Sequence, residues 1–169
     1  SNTRIANIEA ISAASANSGV AIDLSRQTDG FSVTGSAWAD GLTGSSGRDV
    51  ISGGAGHDVI KGGAGADMLT GGDGADTFIF SSAVETGTSA ATRDQIFDFV
   101  STLQNGSEHD VIDLSAIDAI QGGVDQAFTF NPTAWDGVGN QFTAAGQLRY
   151  QHVMDQSGVA STIVSGNIN

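Results

Sequence analysis

Between residues 35 and 79 the chain repeats itself every nine residues. Written in register, the five units are GSAWADGLT, GSSGRDVIS, GGAGHDVIK, GGAGADMLT and GGDGADTFI. The first position is always glycine (Gly35, Gly44, Gly53, Gly62, Gly71) and the sixth always aspartate (Asp40, Asp49, Asp58, Asp67, Asp76). The eighth is always large and apolar (Leu42, Ile51, Ile60, Leu69, Phe78). A tandem of units this short folds by stacking copies on one another, because no single unit can bury its own apolar residue.

The chemistry of the unit divides it in two. Glycines at the first, second and fourth positions supply positive-φ conformations that other residues resist, and so allow a tight turn with inward carbonyls. The last three residues make a short strand whose eighth side chain enters the core. Two units then form one coil, with strands on opposite faces and turns on opposite edges. Asp40, Asp58 and Asp76 are expected to stack along one edge, and Asp49 and Asp67 along the other. Leu42, Ile60 and Phe78 line one sheet, facing Ile51 and Leu69.

Neighbouring strands lie about 4.8 Å apart, so stacked carboxylates repel unless something neutralises them. Calcium takes six to eight hard oxygens at about 2.3–2.6 Å, and a pair of stacked turns offers two carboxylates plus several carbonyls. Pairing along the edges gives three expected sites: Asp40/Asp58, Asp58/Asp76 and Asp49/Asp67. Gly44, Gly53, Ala55, Gly62, Ala64, Gly71 and Asp73 complete the candidate ligand set on the turns. The first unit departs furthest from the pattern, since Ser36 and Trp38 stand where later units carry glycine and Trp38 resists positive φ.

Charge agrees with this reading. The chain of 169 residues holds 6 basic and 19 acidic side chains, a formal net charge of -13, which makes nucleic acid and anionic membrane poor partners. It has no cysteine, so disulfides and thiolate metal sites are excluded. No apolar run approaches the roughly 20 residues of a membrane span, so no membrane insertion is expected. Ser1-Asn2-Thr3-Arg4 carries no signal-peptide core, and the chain reads as a fragment of something longer.

Residues 1–34 read as a β-rich lead-in that caps the roll. Ile5, Ile8 and Ile11 fit a helical face or successive solenoid corners, while residues 20–24 and 31–33 alternate as half-buried strands do. Residues 35–79 are the array, and residues 80–169 a β capping region with strands at 128–130, 147–153 and 161–164. The fold class is therefore all-β: a parallel β-roll with a β-sandwich-like C-terminal half.

The repeats resemble the repeats-in-toxin (haemolysin-type calcium-binding) family, whose consensus is GGxGxD followed by x, a large apolar residue and x. That resemblance implies a chain that is disordered without calcium and folds after export by a type I secretion machinery of a Gram-negative bacterium. The segment "GADTFIFSSAVET…DQIFDFV…HDVIDLSAID", with "FTAAGQLRY" further on, resembles the C-terminal domain of serralysin-type metalloproteases and the regulatory modules of alginate epimerases. It implies a last calcium site using Asp94 or Asp98; water-facing edge aspartates are the alternative.

Catalytic patterns are missing. The histidines (His57, His109, His152) form no HExxH zinc motif and are expected at the surface. There is no GxSxG elbow and no phosphate-binding GxxxxGK[ST] loop. The only proline, Pro132, follows Asn131, so the Asp-Pro bond used by self-cleaving calcium modules is absent. Trp38 and Trp135 are expected to cover core rather than stack on sugars. The expected function is a non-catalytic, secreted calcium-binding module. A surface-layer or adhesin element with calcium-dependent self-association, or an accessory module of a secreted protease or polysaccharide-modifying enzyme, are the alternatives.

Overall fold

The computed structural model describes residues 8–87, 91–100 and 109–117, together with the backbone of three further strands within 129–130, 147–154 and 160–167. The chain divides into two compact units, Ser1–Leu114 and Ser115–Asn169.

The first unit is a coil of ten short strands: β1 (Ala10–Ser12), β2 (Ala21–Asp23), β3 (Ser32–Thr34), β4 (Gly41–Thr43), β5 (Val50–Ala55), β6 (Val59–Lys61), β7 (Met68–Asp73), β8 (Thr77–Ile79), β9 (Gln95–Ile96) and β10 (Val111–Asp113). Odd strands form one five-stranded sheet and even strands the other, each in chain order. Every pairing in these two sheets is parallel. This unit is thus a parallel β-solenoid, and no helix occurs among the described residues. In particular, none is long and apolar enough to cross a membrane.

Registers explain why this sequence forms this coil. Leu42 pairs with Ile60, and Ile60 with Phe78; on the facing sheet Val33 pairs with Ile51, and Ile51 with Leu69. The eighth-position residues therefore stack as two apolar columns, and all of them are buried. Burying each such side chain contributes about 1.5–3 kcal/mol, so the columns hold the two sheets together. Their neighbours at the seventh position, Val50 and Val59, point outward and are exposed.

The roll runs beyond the repeat in both directions. Paired residues are 18 apart within the array (Ile51 and Leu69), but 22 apart at Ile11–Val33 and 20 apart at Ile22–Leu42. At the other end Leu69 pairs with Ile96 and Phe78 with Ile112, closing coils of 27 and 34 residues. Residues 10–34 are accordingly the first coils of the same two sheets, with Phe31, Val33 and Leu24 inside the continuous core. Of the three spaced isoleucines, Ile11 lies in β1, Ile8 is exposed, and Ile5 falls outside the described residues. Phe99 packs at the far end of the core, its ring tilted 48° to that of Phe78 with centroids 6.3 Å apart.

Trp38 differs from its expected place. It is 54% exposed, because the fourth position of a turn lies on the edge of the coil, outside the space between the sheets. Trp135 falls outside the described residues.

The second unit contains β11 (Thr129–Phe130), β12 (Gln147–Met154) and β13 (Ala160–Asn167), with β11 parallel and β13 antiparallel to β12. These form one three-stranded sheet. The sandwich-like packing expected of this half involves residues outside the described ones.

Candidate metal centre

The sixth-position aspartates make two files, one on each edge of the roll. Along the first, Oδ1 of Asp40 accepts the N–H of Val20 (2.7 Å), Asp58 that of Asp40 (2.8 Å), Asp76 that of Asp58 (2.9 Å) and Asp110 that of Asp76 (2.9 Å). Along the second, Asp49 accepts from Phe31 (2.7 Å), Asp67 from Asp49 (2.8 Å) and Asp94 from Asp67 (2.9 Å). Each carboxylate is thus pinned by one main-chain donor from the preceding coil. Asp49, Asp58, Asp67 and Asp76 are almost wholly buried.

What happens at the second oxygen separates the files into two classes. In the first two units serine stands second. Ser36 donates its N–H to Asp40 Oδ2, and Ser45 donates its N–H to Asp49 Oδ2 at 2.6 Å. The Ser36 hydroxyl lies 2.9 Å from Asp40 Oδ1. At Asp58, Asp67, Asp76 and Asp94, Oδ2 is buried and has no hydrogen-bond partner. An ionised oxygen left dry and unpaired is strongly unfavourable, so these four mark where a cation belongs.

Backbone conformation produces the difference. Gly54, Gly63 and Gly72, at the second position of units three to five, have φ of 115°, 96° and 105°. A serine resists that region, and its N–H turns to the carboxylate instead. The first-position glycines serve another purpose than the positive φ expected of them. None is in the left-handed region, but a β-carbon on Gly53, Gly62 or Gly71 would overlap the carboxylate of its own unit's aspartate. Their missing side chains are the space the carboxylates fill.

Burial, ahead of every other cause, raises the pKa of these acids. Asp58 is pushed up to about 6, with Asp76 and Asp40 adding like-charge repulsion against the opposing hydrogen bond from Asp40. Asp67 is pushed up to about 7, with repulsion from Asp94 and Asp49. Asp94 is raised to about 6, also chiefly by burial. Asp49 and Asp76 are raised by burial as well. In the folded, metal-free chain these five carboxylates therefore hold charge reluctantly.

The donor chemistry fits calcium. Among the described residues no three His, Asp or Glu side chains converge, so an ion on these edges takes paired carboxylates completed by main-chain oxygens, an all-oxygen set suited to a hard cation. The turn backbones stack closely enough to contribute: the carbonyl oxygens of Gly62 and Gly71 lie against Gly44 and Gly53 of the preceding coils, and that of Gly54 against Gly72.

The remaining sequence candidates sit as follows. Ala55 donates to the Ser36 carbonyl, the Ala64 side chain is exposed, and Asp73 turns its side chain to solvent while its carbonyl accepts from Gly56 (2.8 Å). Asp98 is not joined to a file; its two oxygens accept the N–H groups of Gly71 (2.9 Å) and Gly72 (2.7 Å), plugging the last glycine turn. His57 and His109 are exposed, and His57 Nδ1 accepts from Ala75 (3.0 Å). Asp110 is the file member that the repeat alone does not reveal. Its Oδ2 accepts from Val100 at 2.7 Å. The signal that finds it is local: His109-Asp110-Val111-Ile112 copies His57-Asp58-Val59-Ile60 outside the nine-residue phase.

The family to which the repeats are similar agrees with this geometry. The family model of the RTX calcium-binding nonapeptide repeat matches residues 43–78 in four copies. The match begins at Thr43, the last residue of the first of the five units. Among solved structures, the chain is similar to the AlgE6R3 subunit of the Azotobacter vinelandii mannuronan C5-epimerase, with 24% identity and a TM-score of 0.46 over 88% of this chain and 71% of that one. No curated protein matches the chain. Residues 43–78 thus carry RTX repeats, which are calcium-binding motifs.

Proposed function

We propose that a chain carrying these repeats serves as a non-catalytic, calcium-dependent folding module of a larger exported protein. The observation that carries the reading is the set of buried, unpartnered oxygens of Asp58, Asp67, Asp76 and Asp94. Calcium, when bound, supplies the positive charge that these oxygens lack. The chain supplies everything else. Glycine turns leave room for the carboxylates, main-chain N–H groups orient them, and the apolar columns align successive turns so that Asp58 faces Asp76, and Asp67 faces Asp94.

Without the cation, burial and repulsion oppose closing the glycine turns, and the glycines lose more backbone entropy on ordering than other residues do. Extracellular calcium modules bind at about 10⁻⁴–10⁻³ M, which keeps the glycine turns of such a chain open in a cell and closes them outside. The absence of cysteine and the charge of -13 suit a chain exported unfolded, for which a type I secretion machinery is the matching route. Far-ultraviolet circular dichroism in EGTA and then in millimolar calcium tests the reading. A gain of β signal on adding calcium is the expected result; identical spectra, with no heat of binding in calorimetry, would sink it.

A further inference from the structure

The two classes of turn divide the roll by metal dependence, and this inference rests on the calcium-binding reading above. We infer that the first two nonapeptides take no calcium of their own: Ser36 and Ser45 close their turns in place of the metal, and the coils from β1 to β5 form a calcium-free base on which the glycine turns close.

Three observations carry this. First, hydrogen-bond satisfaction changes abruptly along each edge. Both oxygens of Asp40 and of Asp49 receive main-chain N–H groups, from Val20 and Ser36 and from Phe31 and Ser45. The next member of each file, Asp58 or Asp67, receives one N–H on Oδ1 and nothing on Oδ2. Burial still raises the pKa of Asp49, but main-chain N–H groups occupy both oxygens of each of these two carboxylates. Neither is left with a bare oxygen that calls for a cation.

Second, the serines brace their turns, and those of the second unit also tie it to the coil before. The Ser45 hydroxyl lies 2.7 Å from the Asp29 carbonyl and accepts the N–H of Gly47 at 2.9 Å. Ser46 donates its N–H to the Gln27 carbonyl at 3.1 Å. The Ser36 hydroxyl likewise accepts the N–H of Trp38 at 3.1 Å. Turns held this way resemble ordinary serine-stabilised turns, in which the side chain supplies the missing partner.

Third, each carboxylate file starts within these first two units, at Asp40 and at Asp49. One coil before Asp49 its place is taken by Phe31, and one coil before Asp40 by Val20; Phe31 is a core residue and Val20 packs against the core. The early coils are thus held by apolar contact and by carboxylates whose oxygens are both hydrogen-bonded, while the later ones contain carboxylates with one oxygen that lacks a partner. The expected pairs Asp40/Asp58 and Asp49/Asp67 each lose one member, and calcium falls to the pairs Asp58/Asp76 and Asp67/Asp94.

Amide hydrogen exchange on the full chain, in calcium and in EGTA, tests the division. In EGTA the amides of Val20, Phe31, Ser36 and Ser45 keep their protection, while those of Asp58 and Asp67, whose acceptors are Asp76 and Asp94, exchange at least about tenfold faster than in calcium. Uniform loss or uniform retention of protection across these six amides overturns the inference. A second arm uses Ser45→Gly, which frees the second position for the conformation seen at Gly54. The variant binds one more calcium ion than the parent by calorimetry or equilibrium dialysis; an unchanged count overturns the inference. Absence of any calcium binding would instead sink the calcium reading itself, so the two failures are distinguishable.

Discussion

The main-chain N–H of Asp49 donates to Oδ1 of Asp67, one coil further along the same edge, at 2.8 Å. Every interior member of a file has this double engagement, giving its N–H to the next carboxylate and lending its own carboxylate to the previous N–H. A change at one aspartate is therefore felt both by the ion it would share and by the backbone of the coil before it.

Asp67→Asn separates these two effects. The amide oxygen keeps the bond from Asp49, but the anionic Oδ2 is lost. Calcium affinity falls by about tenfold or more, since ligand charge sets the strength of such sites. In EGTA the sign reverses. Removing a buried charge that lacks a partner stabilises the metal-free roll by about 1–3 kcal/mol. Thermal melts in calcium and in EGTA read both directions, and a variant that destabilises in both conditions would contradict the assignment.

Acid has opposite effects with and without the metal. Asp58, Asp67 and Asp94 have folded-state pKa values of about 6, 7 and 6, above the value of 3.8 for an unperturbed aspartate. A raised carboxylate pKa means that the folded state binds more protons than the unfolded state between these limits. Stability of the calcium-free roll is therefore fully present below about pH 4 and is lost as pH rises through 6 to 7. Circular dichroism in EGTA should show β structure growing from pH 7.5 to 4.5. In calcium, protons compete with the ion, and apparent affinity falls over the same descent.

Ile60 sits at the middle of its column, fully buried between Leu42 and Phe78. Ile60→Ala costs about 2–5 kcal/mol by lost transfer energy and the cavity left behind. Its neighbour Val59 points the other way, and Val59→Ala changes stability by about 0.5 kcal/mol or less. Chemical denaturation in saturating calcium compares the two; equal effects would contradict the register.

Asp110 accepts from Asp76 and Val100 through its two oxygens. Asp110→Ala orphans both donors at the end of the first file, at a cost of about 1–3 kcal/mol for each one left buried. The loss persists at saturating calcium, because Asp110 has no oxygen left unpaired. Full rescue by added calcium would show that it is a ligand instead.

Much of this architecture was legible because the repeat is strict where it matters. The constant eighth position announces two apolar columns, and the period of nine puts alternate units on opposite edges, so the stacking partners of Asp58 and Asp67 follow from counting. Phase was the limit. Val20 and Asp110 extend the first file, and Phe31 and Asp94 the second, at separations of 20, 34, 18 and 27 residues from their partners, and counting in whole coils of 18 finds only Phe31. The shorter signature, an aspartate two residues before an apolar residue, survives at Asp94-Gln95-Ile96 and Asp110-Val111-Ile112. The role of Ser36 and Ser45 was hidden for another reason. A consensus presents them as weakened glycines, whereas their effect comes from an N–H direction that only the folded backbone displays.

Because successive units alternate between sheets, the length of this roll has a parity. Removing nine residues from the array would move every later strand to the opposite sheet, bringing β9 and β10 against the wrong faces and the coils of 27 and 34 residues onto the wrong edges. Removing 18 leaves each strand on its own side and each aspartate in its own file. Relatives of this chain are therefore expected to differ in array length by whole coils of two repeats.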